Sequence, residues 1–146
     1  MFETIIESYY ETDGVVTFNN HYTPDTLLSD TSVNETVDFV TLYDVHTNKQ
    51  IGTAQFNNIN KQILGTPTTY VVIERISIQI NNDTFNNSSL FVSNYYKSIN
   101  NDYYPTGTKY IISIASGTGD FATKTGYVVI DALENKRLVT IGLHKD

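Results

Sequence analysis

The chain has no cysteine, only three prolines, and nine basic residues against sixteen acidic ones. The absence of cysteine excludes disulfides and thiol chemistry, and it fits a reducing compartment. The few basic side chains are scattered, so neither a nucleic-acid surface nor a polybasic membrane patch is expected. The net charge of −7 instead favours solubility.

Long apolar runs are also missing. No stretch approaches the roughly 20 apolar residues that a membrane span needs. The first ten residues, MFETIIESYY, lack the basic segment followed by an apolar run that marks a signal peptide. We therefore expect a cytoplasmic protein without membrane contact, and the length of 146 residues suits one domain, 1–146. No Walker loop, GxSxG elbow, HExxH or paired CxxC occurs, so no cofactor and no metal is predicted.

What the sequence does contain is a series of short β-rich runs between polar turns, with almost no helical periodicity. Residues 21–35 are predicted to form a long loop with one helical turn near Pro24–Leu27. Eight or nine strands without a covering helix favour an all-β fold, and closure into an eight-stranded antiparallel β-barrel removes the exposed edges. The predicted strands are 2–11, 15–18, 36–44, 50–59, 69–80, 90–99, 109–115, 127–132 and 138–143.

The predicted strand 69–80 is apolar on both faces, with Val71 and Ile73 on one face and Val72 and Ile76 on the other. A barrel alone in water needs only an apolar inner face, so the outer surface is expected to be covered by a loop or by another copy of the chain. Glu74 and Arg75 point to opposite faces of this strand. One of the two must therefore face the interior.

A glycine-rich turn joins two of the predicted strands. The letters SGTGDF at 116–121, followed by GY at 126–127, resemble the GGTGxF…A.G signature of the allene oxide cyclase and dirigent proteins. Gly117 and Gly119 are expected to allow the positive φ angles of a tight turn. Phe121 is expected to plug one end of the barrel, and Gly126 to permit close backbone approach.

Further segments agree with this resemblance in order and spacing across roughly residues 36–143. LYD at 42–44 and KQIGTA at 49–54 are similar to a strand pair of the family, and SSL at 88–90 lies where dirigent proteins have GSTL. The resemblance implies an eight-stranded barrel that forms homotrimers. It also implies a cavity for a small hydrophobic or phenolic molecule.

The resemblance also implies site residues. IESY at 6–9 matches the segment that carries the catalytic glutamate of plant allene oxide cyclases, and LFVSNYY at 90–96 matches the segment that carries their tyrosine. Glu7 and Tyr96 are therefore the candidate catalytic residues, and Tyr9 replaces a family asparagine. Asn94, beside Tyr96, is a candidate for orienting a ligand carbonyl. Dirigent proteins hold Asp and Arg in the pocket, which suggests Asp44 and Arg75 as further substrate-binding residues.

Each candidate has a structural alternative. Glu7 shares its strand face with two other glutamates, which equally fits a solvated outer surface. Tyr96 fits a packed aromatic residue as well as a catalyst. Asp44 and His46 share a face and could bind metal or relay a proton, but a turn-capping aspartate explains the same pattern.

Three functions remain open at this point. The leading hypothesis is an allene oxide cyclase-like isomerase or cyclase that holds a small hydrophobic substrate in the barrel and directs its ring closure, largely through orientation. The second is a non-catalytic barrel that carries a hydrophobic ligand or assembles into a structural protein. The third is a β-sandwich lectin that uses exposed Tyr and Asn residues.

Overall fold

The computed structural model describes residues 2–22, 33–63, 66–99 and 106–144. Two 3-10 turns, Thr12–Gly14 and Gly119–Phe121, accompany the strands. Among the described residues, neither turn has the length or apolar character needed to cross a bilayer. The strands of this part of the chain are β1 (Phe2–Glu11), β2 (Val16–Tyr22), β3 (Val33–Asp44), β4 (Gln50–Ile63), β5 (Thr66–Ile80), β6 (Ser88–Ile99), β7 (Lys109–Gly117), β8 (Gly126–Ala132) and β9 (Lys136–His144).

The strands form one closed antiparallel sheet in the order β1-β9-β8-β7-β6-β5-β4-β3-β2, with β1 also pairing with β3. β1 and β2 follow each other through a 3-10 turn and both pair with β3, so together they occupy one position of an eight-stranded barrel. The closing contact between β1 and β3 is short, with Ser8 opposite Asp44 and Tyr9 opposite Tyr43. The predicted all-β barrel is therefore confirmed.

The predicted loop 21–35 is wrong at both ends. His21 and Tyr22 belong to β2, Val33–Glu35 belong to β3, and the two segments pair in register. Backbone hydrogen bonding along an antiparallel ladder does not require apolar side chains. These strand ends are polar in sequence, and for that reason they were predicted as part of a loop. The helical turn predicted near Pro24–Leu27 lies outside the described residues.

Side chains alternate strictly between the interior and the outer surface along most strands. On β1, Ile6, Ser8 and Tyr10 are buried while Glu7 is exposed. On β5, the even-numbered residues from Val72 to Ile80 are buried. This alternation decides which side chains reach the barrel interior.

One end of the barrel is closed by apolar packing. Phe121, from the glycine-rich turn, is fully buried, and its ring centroid lies 4.8 Å from that of Phe85. Fully buried aliphatic side chains from five strands belong to the same apolar core, and the full burial of Phe121 is what a plug requires. These are Leu42, Ile80, Leu90, Val128 and Leu143.

The glycines of this turn serve different purposes. Gly119 has φ +60° and Gly126 has φ +152°, and a side chain on Gly126 would collide with the backbone carbonyl of Gly142. The expectation of close backbone approach at Gly126 is confirmed. The expectation of positive φ at Gly117 is wrong: it ends β7 in an extended conformation, where a side chain would collide with Phe121.

The other end of the barrel is less regularly bonded. Of the described residues, β6 and β7 pair at Leu90–Gly117, Phe91–Ser116 and Val92–Ile114, and the ladder stops there although both strands continue. Inside this seam the rings of Tyr96 and Tyr110 pack with centroids 5.3 Å apart. The same end carries polar side chains in the interior.

Candidate functional site

A row of polar side chains crosses three neighbouring strands inside the barrel. Asn58 on β4 lies opposite Glu74 on β5, and Glu74 lies opposite Asn94 on β6. Asn58 and Glu74 are 3% and 1% exposed, and Asn94 is partly buried. Directly opposed residues on one face are close neighbours, so the three side chains form a continuous patch, called here the polar row.

The polar atoms of this row are buried without partners. Both carboxyl oxygens of Glu74, the Oδ1 of Asn58 and the Nδ2 of Asn94 have no hydrogen-bond partner among the described residues. The other amide atom of Asn94 is engaged, because its Oδ1 accepts the backbone N–H of Tyr95 at 3.0 Å. Buried polar groups without hydrogen bonds cost free energy, so the row is where a ligand with polar groups would gain most.

A cavity of about 340 Å³ adjoins the polar row. Its size falls in the range of small-molecule sites, and its wall combines aromatic rings with a few converging polar groups. Besides Asn58 and Glu74, its wall includes Tyr10, Asp38, Phe56 and Arg137. A groove of about 410 Å³ on the outer surface, beside Phe39, Gln55 and Gln79, contains no ionisable side chain.

Burial determines the charge state of Glu74. Desolvation raises its pKa to about 8, with a further contribution from the nearby negative charge of Asp38. At neutral pH the carboxyl group is therefore mostly protonated. A neutral carboxylic acid can donate a hydrogen bond or a proton to a bound molecule, which an exposed glutamate cannot do at this pH.

Three further ionisable groups face the same cavity. Burial raises the pKa of Asp38, whose Oδ1 accepts a hydrogen bond from the Thr17 hydroxyl at 2.7 Å. Burial also raises the pKa of Tyr10, against the lowering effect of the Arg137 charge, so the phenol stays protonated. The Arg137 guanidinium donates to the Leu133 carbonyl at 2.8 Å, which fixes it at the cavity wall.

Aromatic rings supply the apolar part of the site. The rings of Tyr10 and Phe56 lie 5.6 Å apart at a 52° angle on the cavity wall. Tyr96 and Tyr110 form a second ring pair at the seam between β6 and β7. Tyr96 and Asn94 share the inward face of β6, as the sequence predicted, and Tyr96 is buried.

Glu7 and Tyr9 lie on the outer face of β1, not in the interior. The Glu7 carboxylate contacts the His46 Nε2 at 3.0 Å in an exposed pair. The Tyr9 hydroxyl donates to Asn48 Oδ1 at 2.9 Å. The Tyr9 ring packs against the Tyr43 ring, and the Lys136 ammonium lies over the Tyr9 ring. The interior face of β1 carries Ser8 and Tyr10 instead, so Glu7 cannot contact a molecule in the cavity.

Asp44 and Arg75 are also outside the cavity. Asp44 accepts the backbone N–H groups of His46 and Thr47 at 2.8 and 2.9 Å, and these bonds lower its pKa. It is therefore a turn cap. Arg75 is exposed, because it is Glu74 that faces inward. Within the described residues no group of three potential metal ligands occurs, and the Asp44–His46 pair has no third member.

Of the described residues, the acidic and basic side chains that line this cavity are Glu74, Asp38 and Arg137. Each follows from extending the alternation of buried apolar residues along its strand: Val40 places Asp38 inside, and Val139 places Arg137 inside. Asn58 falls within the predicted strand 50–59 but belongs to no catalytic or binding motif, so it was not among the candidate site residues.

Comparisons with known proteins support the fold. No family model and no curated protein matches the sequence. Solved structures do match: a pyocyanin demethylase at 13% identity and a TM-score of 0.57 covers 96% of this chain and 99% of that one. The pterocarpan synthase dirigent protein GePTS1 matches at 17% sequence identity and a TM-score of 0.55, and the match covers 96% of this chain and 82% of that one. A second pterocarpan synthase dirigent protein, PsPTS1, matches at 15% sequence identity and a TM-score of 0.54. The match covers 100% of this chain and 99% of that one.

These identities are too low to show more than the fold, which is that of a dirigent-like barrel. The dirigent part of the resemblance found in the sequence is therefore supported at the level of architecture. The allene oxide cyclase part, the homotrimer and the cytoplasmic location stay predictions.

Proposed function

We propose that this barrel is a small-molecule isomerase or cyclase that binds an apolar, aromatic substrate in the 340 Å³ cavity. Glu74 takes the place of Glu7, which the sequence resemblance gave as the catalytic carboxylate, and we assign it an acid–base role. The observation that carries the proposal is the buried Glu74 carboxyl, which has no hydrogen-bond partner among the described residues and faces a cavity. A protonated carboxyl in such a position can donate its proton to a substrate and recover it later.

The remaining wall supports this role. Asn58 and Asn94 flank Glu74 and offer one acceptor and one donor to polar groups of the substrate. Tyr10 and Phe56 provide flat apolar surface, and confinement in the cavity restricts a flexible molecule to one conformation. The names of the structural neighbours, a demethylase and pterocarpan synthases, are consistent with small-molecule chemistry in barrels of this kind.

The test begins with binding. A library of small aromatic compounds is screened against the protein by thermal shift, and hits are followed for chemical change by NMR. We expect Glu74→Gln to bind a hit but to lower its turnover at least about 100-fold, in line with the usual contribution of a general acid. Glu11→Gln, an equivalent change at an exposed position, should leave both unchanged. Full turnover by Glu74→Gln would refute the acid–base role.

A non-catalytic carrier is the second candidate, favoured by one observation. Tyr96, the other candidate catalyst, is not part of the wall of the cavity that Glu74 lines. If hits bind at the polar row but none is converted by the wild-type protein, the carrier function replaces the enzyme. Asn58→Leu should then weaken binding without any effect on reaction products.

We also propose that the barrel forms a homotrimer through its outer apolar face. Ile73 and Tyr95 are opposed on β5 and β6, and they are 42% and 70% exposed. Ile111 on β7 is similarly exposed at 67%. Sedimentation equilibrium should give three times the mass of the 16.5 kDa chain, and Tyr95→Lys should lower it. A wild-type monomer would contradict this.

A further inference from the structure

Two carboxyl groups face the cavity, and neither belongs to an ion pair formed among the described residues. Glu74 reaches it from β5 and Asp38 from β3. The ion pairs formed by described residues, Glu7–His46 and Glu3–Lys124, both lie elsewhere on the protein. Arg137 is the cation on the cavity wall; it donates to the backbone carbonyl of Leu133, and its charge opposes the rise in the pKa of Tyr10, while the pKa of Glu74 is raised by burial and by Asp38.

This arrangement discriminates between ligand charges. An anionic ligand would add a third acidic group beside Asp38 and Glu74, at a cost that is largest beside Glu74, where burial limits screening by water. A cation would instead supply the counter-ion that both carboxyls lack. The rings of Tyr10 and Phe56, on the same wall, attract a flat cation further through their π faces.

We infer that the cavity selects a planar aromatic ligand that carries a basic or cationic nitrogen, seated beside the carboxyls of Glu74 and Asp38. This inference rests on the proposed function, because it names the substrate class of the same site. A ligand with a basic nitrogen takes the proton of Glu74 and forms an ion pair with it. A permanent cation displaces that proton to solvent.

The proton displacement makes binding of a permanent cation depend on pH. The titratable groups that line the cavity with Glu74 are Tyr10, Asp38 and Arg137, and Tyr96 lies on the inward face of β6; burial raises the pKa of both Tyr10 and Asp38. Below the Glu74 pKa of about 8, one proton must leave for each cation bound, so affinity rises about tenfold per pH unit. Above that pH the affinity for the cation no longer depends on pH.

The experiment compares two probes of the same shape by isothermal titration calorimetry between about pH 6 and pH 9. The cation is 1-methylquinolinium and its neutral counterpart is 1-methylnaphthalene. For wild-type protein we expect the cation to bind more tightly than the neutral probe at pH 8, with affinity falling about tenfold per unit below that. Titrations in two buffers of different ionisation enthalpy should show release of one proton per cation at low pH.

Variants separate the contributions. Glu74→Gln should lose the dependence of cation affinity on pH and should bind the cation more weakly than wild type at pH 8, with the remaining preference due to Asp38 and the aromatic rings. The exposed control Glu11→Gln should behave as wild type. Asp38→Asn should keep the pH dependence but shift its midpoint downward, because the Asp38 charge raises the pKa of Glu74. Circular dichroism of each variant establishes that the barrel is folded.

The outcomes distinguish the two proposals. If the neutral probe binds as well as the cation, and Glu74→Gln changes neither, the charge selection is wrong while the cavity still binds aromatic molecules. If wild-type protein binds neither probe at millimolar concentration, the proposed binding function fails with it. Tighter binding of an anionic probe, 1-naphthoate, would reverse the inference.

Discussion

Glu74 and Asn94 lie directly opposite each other on β5 and β6, yet their side chains do not bond to each other. A carboxyl and an amide donor in adjacent positions would ordinarily form a hydrogen bond. Instead both point into the barrel with buried polar atoms that have no partner among the described residues. The polar groups of this row therefore point into the interior and do not form a hydrogen-bonded network with one another, which is the arrangement expected of a binding surface.

Glu74 should make the protein less stable as pH rises. Its folded-state pKa of about 8 lies above the value of 4.5 for a free glutamate, so between these two values the folded state holds more protons than the unfolded state. The free energy of unfolding contributed by this group is then fully present below about pH 4.5. It falls by up to about 1.4 kcal/mol per pH unit until pH 8.

Urea denaturation at pH 5.0, 6.5 and 8.0 measures this loss. Glu74→Gln has no carboxyl group to ionise at this position. The unfolding free energy of this variant should therefore fall less between pH 5.0 and pH 8.0 than that of the wild type. Glu11→Gln, which is exposed, should decline in parallel with the wild type. Parallel behaviour of wild type and Glu74→Gln would mean that Glu74 is ionised in the folded protein.

The alternation of apolar residues along the strands predicts much of the site. The pattern of Ile76, Ile78 and Ile80 fixes the inward face of β5, and counting back by two residues reaches Glu74. Either Glu74 or Arg75 was expected to face inward. On β1, Ile5 and Ile6 lie on opposite faces, so the apolar pattern fits either face, and the resemblance made Glu7 a candidate although a solvated outer surface explained it equally well.

Other parts of the site depend on barrel closure. Asp38 and Arg137 are far apart in the chain, and they meet at one cavity because β1 pairs with both β3 and β9. No local pattern encodes that proximity. Asn58 lies within the predicted strand 50–59, and only the register of β4 against β5 places it beside Glu74.

The plug at the closed end should be essential for stability. Phe121 is fully buried against Phe85, so Phe121→Ala removes a large side chain and leaves a cavity, at an expected cost of about 3–5 kcal/mol in unfolding free energy. Phe18→Ala is the matched control, because Phe18 is 59% exposed and its loss should cost under about 1 kcal/mol. Equal losses in thermal denaturation would contradict the role of the plug.

The exposed pair of Glu7 and His46 should have little importance. Solvent screens this contact, and such surface pairs contribute at most about 1 kcal/mol. Glu7→Gln should therefore leave urea denaturation almost unchanged and should bind cavity ligands as the wild type does. A loss of ligand binding beyond about tenfold would show that Glu7 communicates with the interior after all.

Gly126 should tolerate no side chain, in contrast to Gly14. Gly126 begins β8 at φ +152°, and an added Cβ would collide with the carbonyl of Gly142 on β9. Relief of that collision must separate two paired strands, so Gly126→Ala should lower unfolding free energy by at least about 2–3 kcal/mol. Gly14 has nothing within 4 Å of an added Cβ, so Gly14→Ala should cost well under about 1 kcal/mol. Thermal denaturation of both variants checks the difference, and a stable Gly126→Ala protein would show that β8 and β9 can separate at this point without loss of the barrel.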